Sequence, residues 1–129
     1  MISSMYWPFF FGVGGNISDG KQWFPWIHVD DVSGIILHAI ENSAVSGTLN
    51  AVAPETVTNA DFTKTLSREM WRFAPLPVPK FALSTLLGDE RADMMASSPQ
   101  IIPARTVDSG YQYKYSDLKS ACSDCVKWC

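Results

Sequence analysis

Gln22-Trp23-Phe24-Pro25-Trp26-Ile27-His28-Val29-Asp30-Asp31 decides how the rest of the chain is read. The stretch opens as an aromatic loop broken by Pro25. It passes through an apolar run at 26–29, read as a short strand or extended entry, and ends in two aspartates. An amphipathic helix is expected at once, over about residues 32–42. There Val32, Ile35, Ile36, Ala39 and Ile40 recur at the spacing of one helix face. Asp30 or Asp31 is expected to cap it, because a carboxylate accepts the unpaired N–H groups of a first turn and suits the positive helix end.

Upstream, residues 1–27 read as mostly irregular. Gly12, Gly14, Gly15 and Gly20 invite comparison with a phosphate-binding loop, but G-x-G-x-x-G would need glycine where Ile17 stands, with a strand before it and a helix directly after. The apolar run at 1–11 has no basic start, contains Pro8 and reaches no small-x-small cleavage site. It is read as a buried or capped segment, not a signal peptide.

Downstream, residues 47–53 read as a short strand closed by Pro54. Thr58 with Asp61 approximates a capping box for a helix that points Phe62, Leu66 and Met70 inward. Pro75, Pro77 and Pro79 make 73–79 extended. A helix is expected over about 80–87, stopped by Gly88, and a shorter one over 89–96. Residues 101–105 read as a connector. Gly110-Tyr111-Gln112-Tyr113-Lys114-Tyr115 alternates aromatic with polar, a strand signature. Ser116 and Asp117 should cap a last helix over about 118–128. The fold class expected is α/β, a lobe of mixed short strands and helices. Hydrophobic residues make up 47% of the chain, a heavy apolar load for strands so few and short, so something else should cover the sheet.

The 129 residues suit one domain or a piece of one. A net charge of −3 leaves no basic footprint for nucleic acid or an anionic membrane. No apolar run approaches bilayer length. Cys122, Cys125 and Cys129 are odd in number and crowded at one end, which is no disulfide framework and points to a reducing, intracellular compartment.

Two constellations could carry chemistry. His28, Asp30 and Asp31 offer an acid/base pair or metal ligands. Against this, the aspartates have work as caps and no second ligand cluster lies nearby, so His28 is expected to be a structural, hydrogen-bonded group. Cys122-Ser123-Asp124-Cys125 is a C-x-x-C, but it falls late in a helix, where the negative end raises thiol pKa values, and a structural zinc site would need a fourth ligand. A frayed helix end with accessible thiols and no metal is expected. A catalytic Tyr-x-x-x-Lys pair is not expected either: Tyr111 and Lys114 have the wrong spacing.

At Pro25-Trp26-Ile27-His28-Val29-Asp30-Asp31 the chain resembles the extended short-chain dehydrogenase/reductase superfamily. Six further stretches narrow the resemblance: Trp7-Pro8-Phe9 with Gly12-Val13-Gly14-Gly15, Gly20-Lys21-Gln22-Trp23, Gly47-Thr48-Leu49-Asn50-Ala51-Val52-Ala53-Pro54, Thr58-Asn59-Ala60-Asp61-Phe62, Pro75-Leu76-Pro77-Val78-Pro79, and Gly110-Tyr111-Gln112-Tyr113. In order and spacing they are similar to the nucleoside-diphosphate-sugar epimerase subgroup, or epimerase family proteins. The resemblance runs from about Met5 to Ala121 and implies a C-terminal half. Residues 1–27 would join a Rossmann core and 28–129 would form the substrate-binding lobe. It implies NADP(H) for the full-length family but none for this chain alone, which would lack the glycine loop and catalytic pair and so be inactive by itself. A small-molecule substrate is implied, with Gln22, Trp23 and Trp26 lining its cleft and His28 and Asp30 organising them. Where sugar-nucleotide epimerases carry a diphosphate-binding arginine, this sequence has Phe24. A rival reading is a non-catalytic module that pairs, or self-associates, through an exposed apolar face.

Overall fold

The structure, a computed structural model, describes residues 15–17, 19–71, 85, 90 and 98–127. Among them run four helices: α1 (Val29–Glu41), α2 (Asn59–Glu69), α3 (Ala104–Asp108) and α4 (Leu118–Lys127). The expectations for the glycines at 12 and 14, the prolines of 73–79, most of the helices at 80–87 and 89–96, and Cys129 fall outside the described residues.

The decisive stretch folds differently from its reading. α1 begins three residues early, at Val29, and its N-cap is His28. The His28 backbone is extended, and its Nδ1 accepts the Asp30 N–H at 3.2 Å. An imidazole nitrogen thus does the work assigned to a carboxylate, and Asp31 is released to turn inward. It is fully buried. Its carboxylate accepts the Tyr111 hydroxyl at 3.0 Å and the backbone N–H groups of Lys114 and Tyr115 at 2.7 and 3.0 Å. This clasp ties the start of α1 to a segment 80 residues later in the chain. Gly34 makes it possible: a Cβ there would overlap the Tyr111 hydroxyl, so only glycine lets the phenol lie across the helix.

The α1 stripe also needs correction. Ile35 alone among the five stripe residues is buried, whereas Ile36 is 56% and Ile40 76% exposed, with Val29 at 68% and Leu37 at 54%. The helix is apolar on two sides, and this chain covers one.

α2 follows its reading. Thr58 Oγ1 accepts the Asp61 N–H at 3.2 Å while Asp61 Oδ2 accepts from Thr58 N at 3.4 Å, the reciprocal capping box. Phe62 and Leu66 are buried and Met70 half-buried. α4 starts one residue after Asp117, whose Oδ1 accepts the Ser120 N–H at 2.9 Å. α2 and α4 pack together around Leu66, Leu118, Ala121 and Cys122.

The strands are mostly extended backbone without ladders. Residues 22–26 run antiparallel to 53–59: Ala53 N donates to Trp26 O, Phe24 N to Val57 O and Asn59 N to Gln22 O, at 2.7–2.9 Å, with one bridge between Trp23 and Thr58. Residues 110–115 keep the expected alternation. Tyr111, Tyr113 and Tyr115 are half-buried and Gln112 and Lys114 exposed. They bond through side chains instead of a strand partner, as when the Tyr113 hydroxyl donates to Val52 O at 2.9 Å. The connector at 101–105 proves to run into α3, where buried Thr106 donates to Asn50 O at 2.9 Å and Arg105 to Ser46 O at 2.7 Å.

Candidate functional site

The end of 22–31, residues 51–52, the last tyrosine of 110–115 and the inner face of α4 enclose a cleft of about 880 Å³. That volume is in the range of small-molecule sites. Its walls are apolar: Trp26, Phe62, Leu118 and Cys122 among them. Four of its titratable side chains form two pairs. His28, buried, has its Nε2 3.5 Å from Asp124 Oδ2 and stacks on Tyr115 with ring centroids 4.0 Å apart. Because Nδ1 accepts from Asp30 N, the proton belongs on Nε2, facing Asp124. At the rim, Lys114 Nζ lies 2.6 Å from Asp30 Oδ2. That hydrogen bond holds the Asp30 carboxyl below its usual range and raises the Lys114 ammonium.

Cys122 corrects the frayed-end expectation. It is 1% exposed in the α2–α4 core, and burial, with Cys125 and Glu69 adding to it, pushes its thiol from 9.0 up to about 12. Cys122 and Cys125 are both reduced. A shift of that size cuts the thiolate fraction roughly a thousandfold at neutral pH. A pulse of iodoacetamide followed by peptide mapping should therefore label Cys125 well before Cys122; equal labelling would show that α4 is open there.

The three predicted lining residues are not gathered in this cleft. Trp26 lines it, though buried in the core with its Nε1–H donated to Glu55 O at 2.9 Å. Trp23 lines a smaller crevice beside Trp26. Gln22 faces inward and donates from Nε2 to Ile17 O at 3.0 Å. Phe24 packs on Phe62, centroids 4.1 Å apart. Sequence reasoning missed Asp124, Tyr115 and Lys114 as cleft residues; their meeting with His28 depends on the Asp31 clasp, for which no sequence spacing gives a cue. It also passed over Tyr115 and Lys119, which do stand at Tyr-x-x-x-Lys spacing. Tyr115 precedes α4 and lines the cleft, whereas Lys119 lines a separate depression with Asp61, Lys64 and Arg68, so the pair does not act on one site. Among the described residues no group of three His, Cys, Asp or Glu is placed to hold a metal ion, and no helix is long and apolar enough to cross a membrane.

Residues 78–125 match a family described as a domain of unknown function, DUF1731. The human epimerase family protein SDR39U1 is 43% identical over 125 residues, covering 97% of this chain and 43% of that protein. The Bacillus subtilis epimerase family protein YfhF is 39% identical over 95% of this chain and 40% of its own length. The crystal structure of human SDR39U1 isoform 2 with NADPH superimposes with a TM-score of 0.94 at 40% identity, over 98% of this chain and 43% of that one. The chain belongs to the epimerase family. Its lineage is therefore Rossmann-like, within the short-chain dehydrogenase/reductases, although its described residues are helical with hardly a strand pairing. The chain spans about two-fifths of the length of the epimerase family relatives it matches.

Dinucleotide phosphates do not fit the N-termini of α1, α2 and α4. The N-terminus of α1 is closed by His28 and flanked by Asp30 and Asp31, that of α2 by the Thr58–Asp61 box, and the first N–H of α4 by Glu55 Oε2 at 2.5 Å. Each is occupied or acidic where a phosphate would need open N–H groups.

Proposed function

We propose that this chain is the substrate-binding, C-terminal portion of an intracellular NADP(H)-dependent epimerase or oxidoreductase, and that it is inactive alone. The observation that carries the reading is the cleft: an apolar, small-molecule-sized cavity in which buried His28 meets the half-exposed Asp124 carboxylate, flanked by α1 and α4 starts that are closed to a dinucleotide phosphate. Within the complete enzyme, hydride exchange between nicotinamide and substrate would use a glycine loop and tyrosine supplied outside this chain. This lobe would orient the substrate and exclude water. Trp26 walls the cleft, and Gln22 and Trp23 hold the neighbouring edge. NADPH titrated into the purified chain, followed by nicotinamide fluorescence, is expected to show no saturable binding. Saturation in the low micromolar range would overturn the reading.

A second reading rests on α1. Val29, Ile36, Leu37 and Ile40 leave an apolar strip in water along the helix. We propose that this strip seats a Rossmann unit, and that without one the chain self-associates through it. Sedimentation of the isolated chain should give concentration-dependent association that a double Ile36→Glu, Ile40→Glu variant abolishes; a monomer at all concentrations would sink the proposal.

A further inference from the structure

The cleft's charges also say what kind of molecule it takes. Resting on the reading of this lobe as the substrate side, we propose that it binds an uncharged, largely apolar carbonyl or hydroxyl compound with its oxygen at the His28–Asp124 end, and not a nucleoside-diphosphate sugar. A diphosphate brings two negative charges. Protein sites answer them with arginine forks, lysines or open helix N-termini. Among the described residues lining the cleft the one lysine or arginine is Lys114, and it is already paired with Asp30 at 2.6 Å. Asp124 and Asp30 would repel the phosphates. The start of α1 is closed by a side chain, and the first N–H of α4 belongs to Glu55. Phe24, next to the cleft in sequence, spends its side chain on Phe62. What remains is an apolar lining, Pro25, Ile27, Val32 and Val52 with the edges of Trp26 and Phe62, whose desolvation favours hydrocarbon.

One end of this surface is polar. His28 presents an Nε2–H fixed by the cap at Nδ1, a donor for a carbonyl or hydroxyl oxygen. Asp124, half-exposed beside it, is an acceptor for a hydroxyl proton. A single donor–acceptor pair set at the end of an apolar trough discriminates by position more than by charge.

The test is an NMR titration of the 129-residue chain with methyl heptyl ketone and, separately, UDP-glucose, following the ring signals of His28 and Tyr115. The ketone is expected to shift both saturably, with a dissociation constant under about 1 mM, and UDP-glucose to leave both unmoved at equal concentration. Ile27→Arg, which sets a cation on the cleft wall, is expected to weaken the ketone at least about tenfold. Saturable shifts from UDP-glucose, or none from the ketone, overturn the proposal, and the wild-type titration decides this even if the variant does not fold. A separate arm with NADPH alone keeps the two readings apart: cofactor binding by this chain refutes its place as the substrate side, whereas a failed ketone titration refutes only the ligand class.

Discussion

Asp31→Ala should cost this chain about 3–4 kcal/mol, the sum of two backbone N–H groups and a phenol stripped of their acceptor in a part-buried site. Stabilities of small domains run to about 5–15 kcal/mol, so the variant keeps a fraction of the native margin at best. Urea unfolding followed by circular dichroism would read the loss as a lower midpoint. Asp31→Asn should be nearly as poor although it fills the same volume. The two carboxylate oxygens face separate N–H donors, so an amide must turn its own NH₂ on one of them. If Asn restored the midpoint, the clasp would be a matter of packing alone.

The same clasp sets an alkaline limit. Burial first, and then the hydrogen bond to Asp31, push Tyr111 from 10.0 up to about 12. The unfolded chain therefore ionises this phenol before the folded one does. Stability from this group is complete below pH 10.0 and is lost as pH rises towards about 12. In Tyr111→Phe that part of the decline should vanish; an unchanged profile over this window would assign it elsewhere.

Local signals in the sequence gave sound guidance where a local interaction decides the structure. The Thr58–Asp61 box lies within four residues, and α2 starts where it says. Asp117 caps α4 for the same reason. The alternation of Tyr111, Tyr113 and Tyr115 was legible as a pattern of burial, though not as a strand, since their hydroxyls and not a backbone partner take up the bonding. Long-range ties were not legible. Nothing near Asp31 says that its acceptors will serve residues more than 80 positions away, so two adjacent aspartates read as caps. His28 is an uncommon cap, and favouring carboxylates moved the helix start by a turn. The α1 stripe misled for another reason. Periodicity reports how much of a helix is apolar but not who covers it, and here Ile35 meets this chain while Ile36 and Ile40 meet water. Family resemblance, resting on motifs spread through the chain, was the firmer guide to lineage. It also implied Gln22, Trp23 and Trp26 around one cleft, whereas Trp23 lines a crevice beside the one that Trp26 lines, because residues at odd separations in an extended segment point to opposite sides.

Phe62→Ala ties the fold to the cleft and should cost about 3–5 kcal/mol, the range for deleting a buried aromatic from a packed core. Phe62 is 3% exposed, stacks on Phe24, stands on the inner face of α2 and also forms part of the cleft wall. Its removal therefore acts twice. The α2–α4 core loses apolar contact beside Leu66, and the void opens into the cleft instead of closing as an isolated cavity. Water entering from the cleft can fill that void, but it gains no polar partners from Trp26, Leu118 or Ala121, so the loss should stay near the upper end of the range. Phe62→Leu keeps most of the volume and should cost under about 1.5 kcal/mol. Paired urea titrations of the two variants separate these contributions. A Phe62→Ala variant no weaker than Phe62→Leu would mean that α2 and α4 close over the gap, and that the cleft owes its shape to something other than this ring.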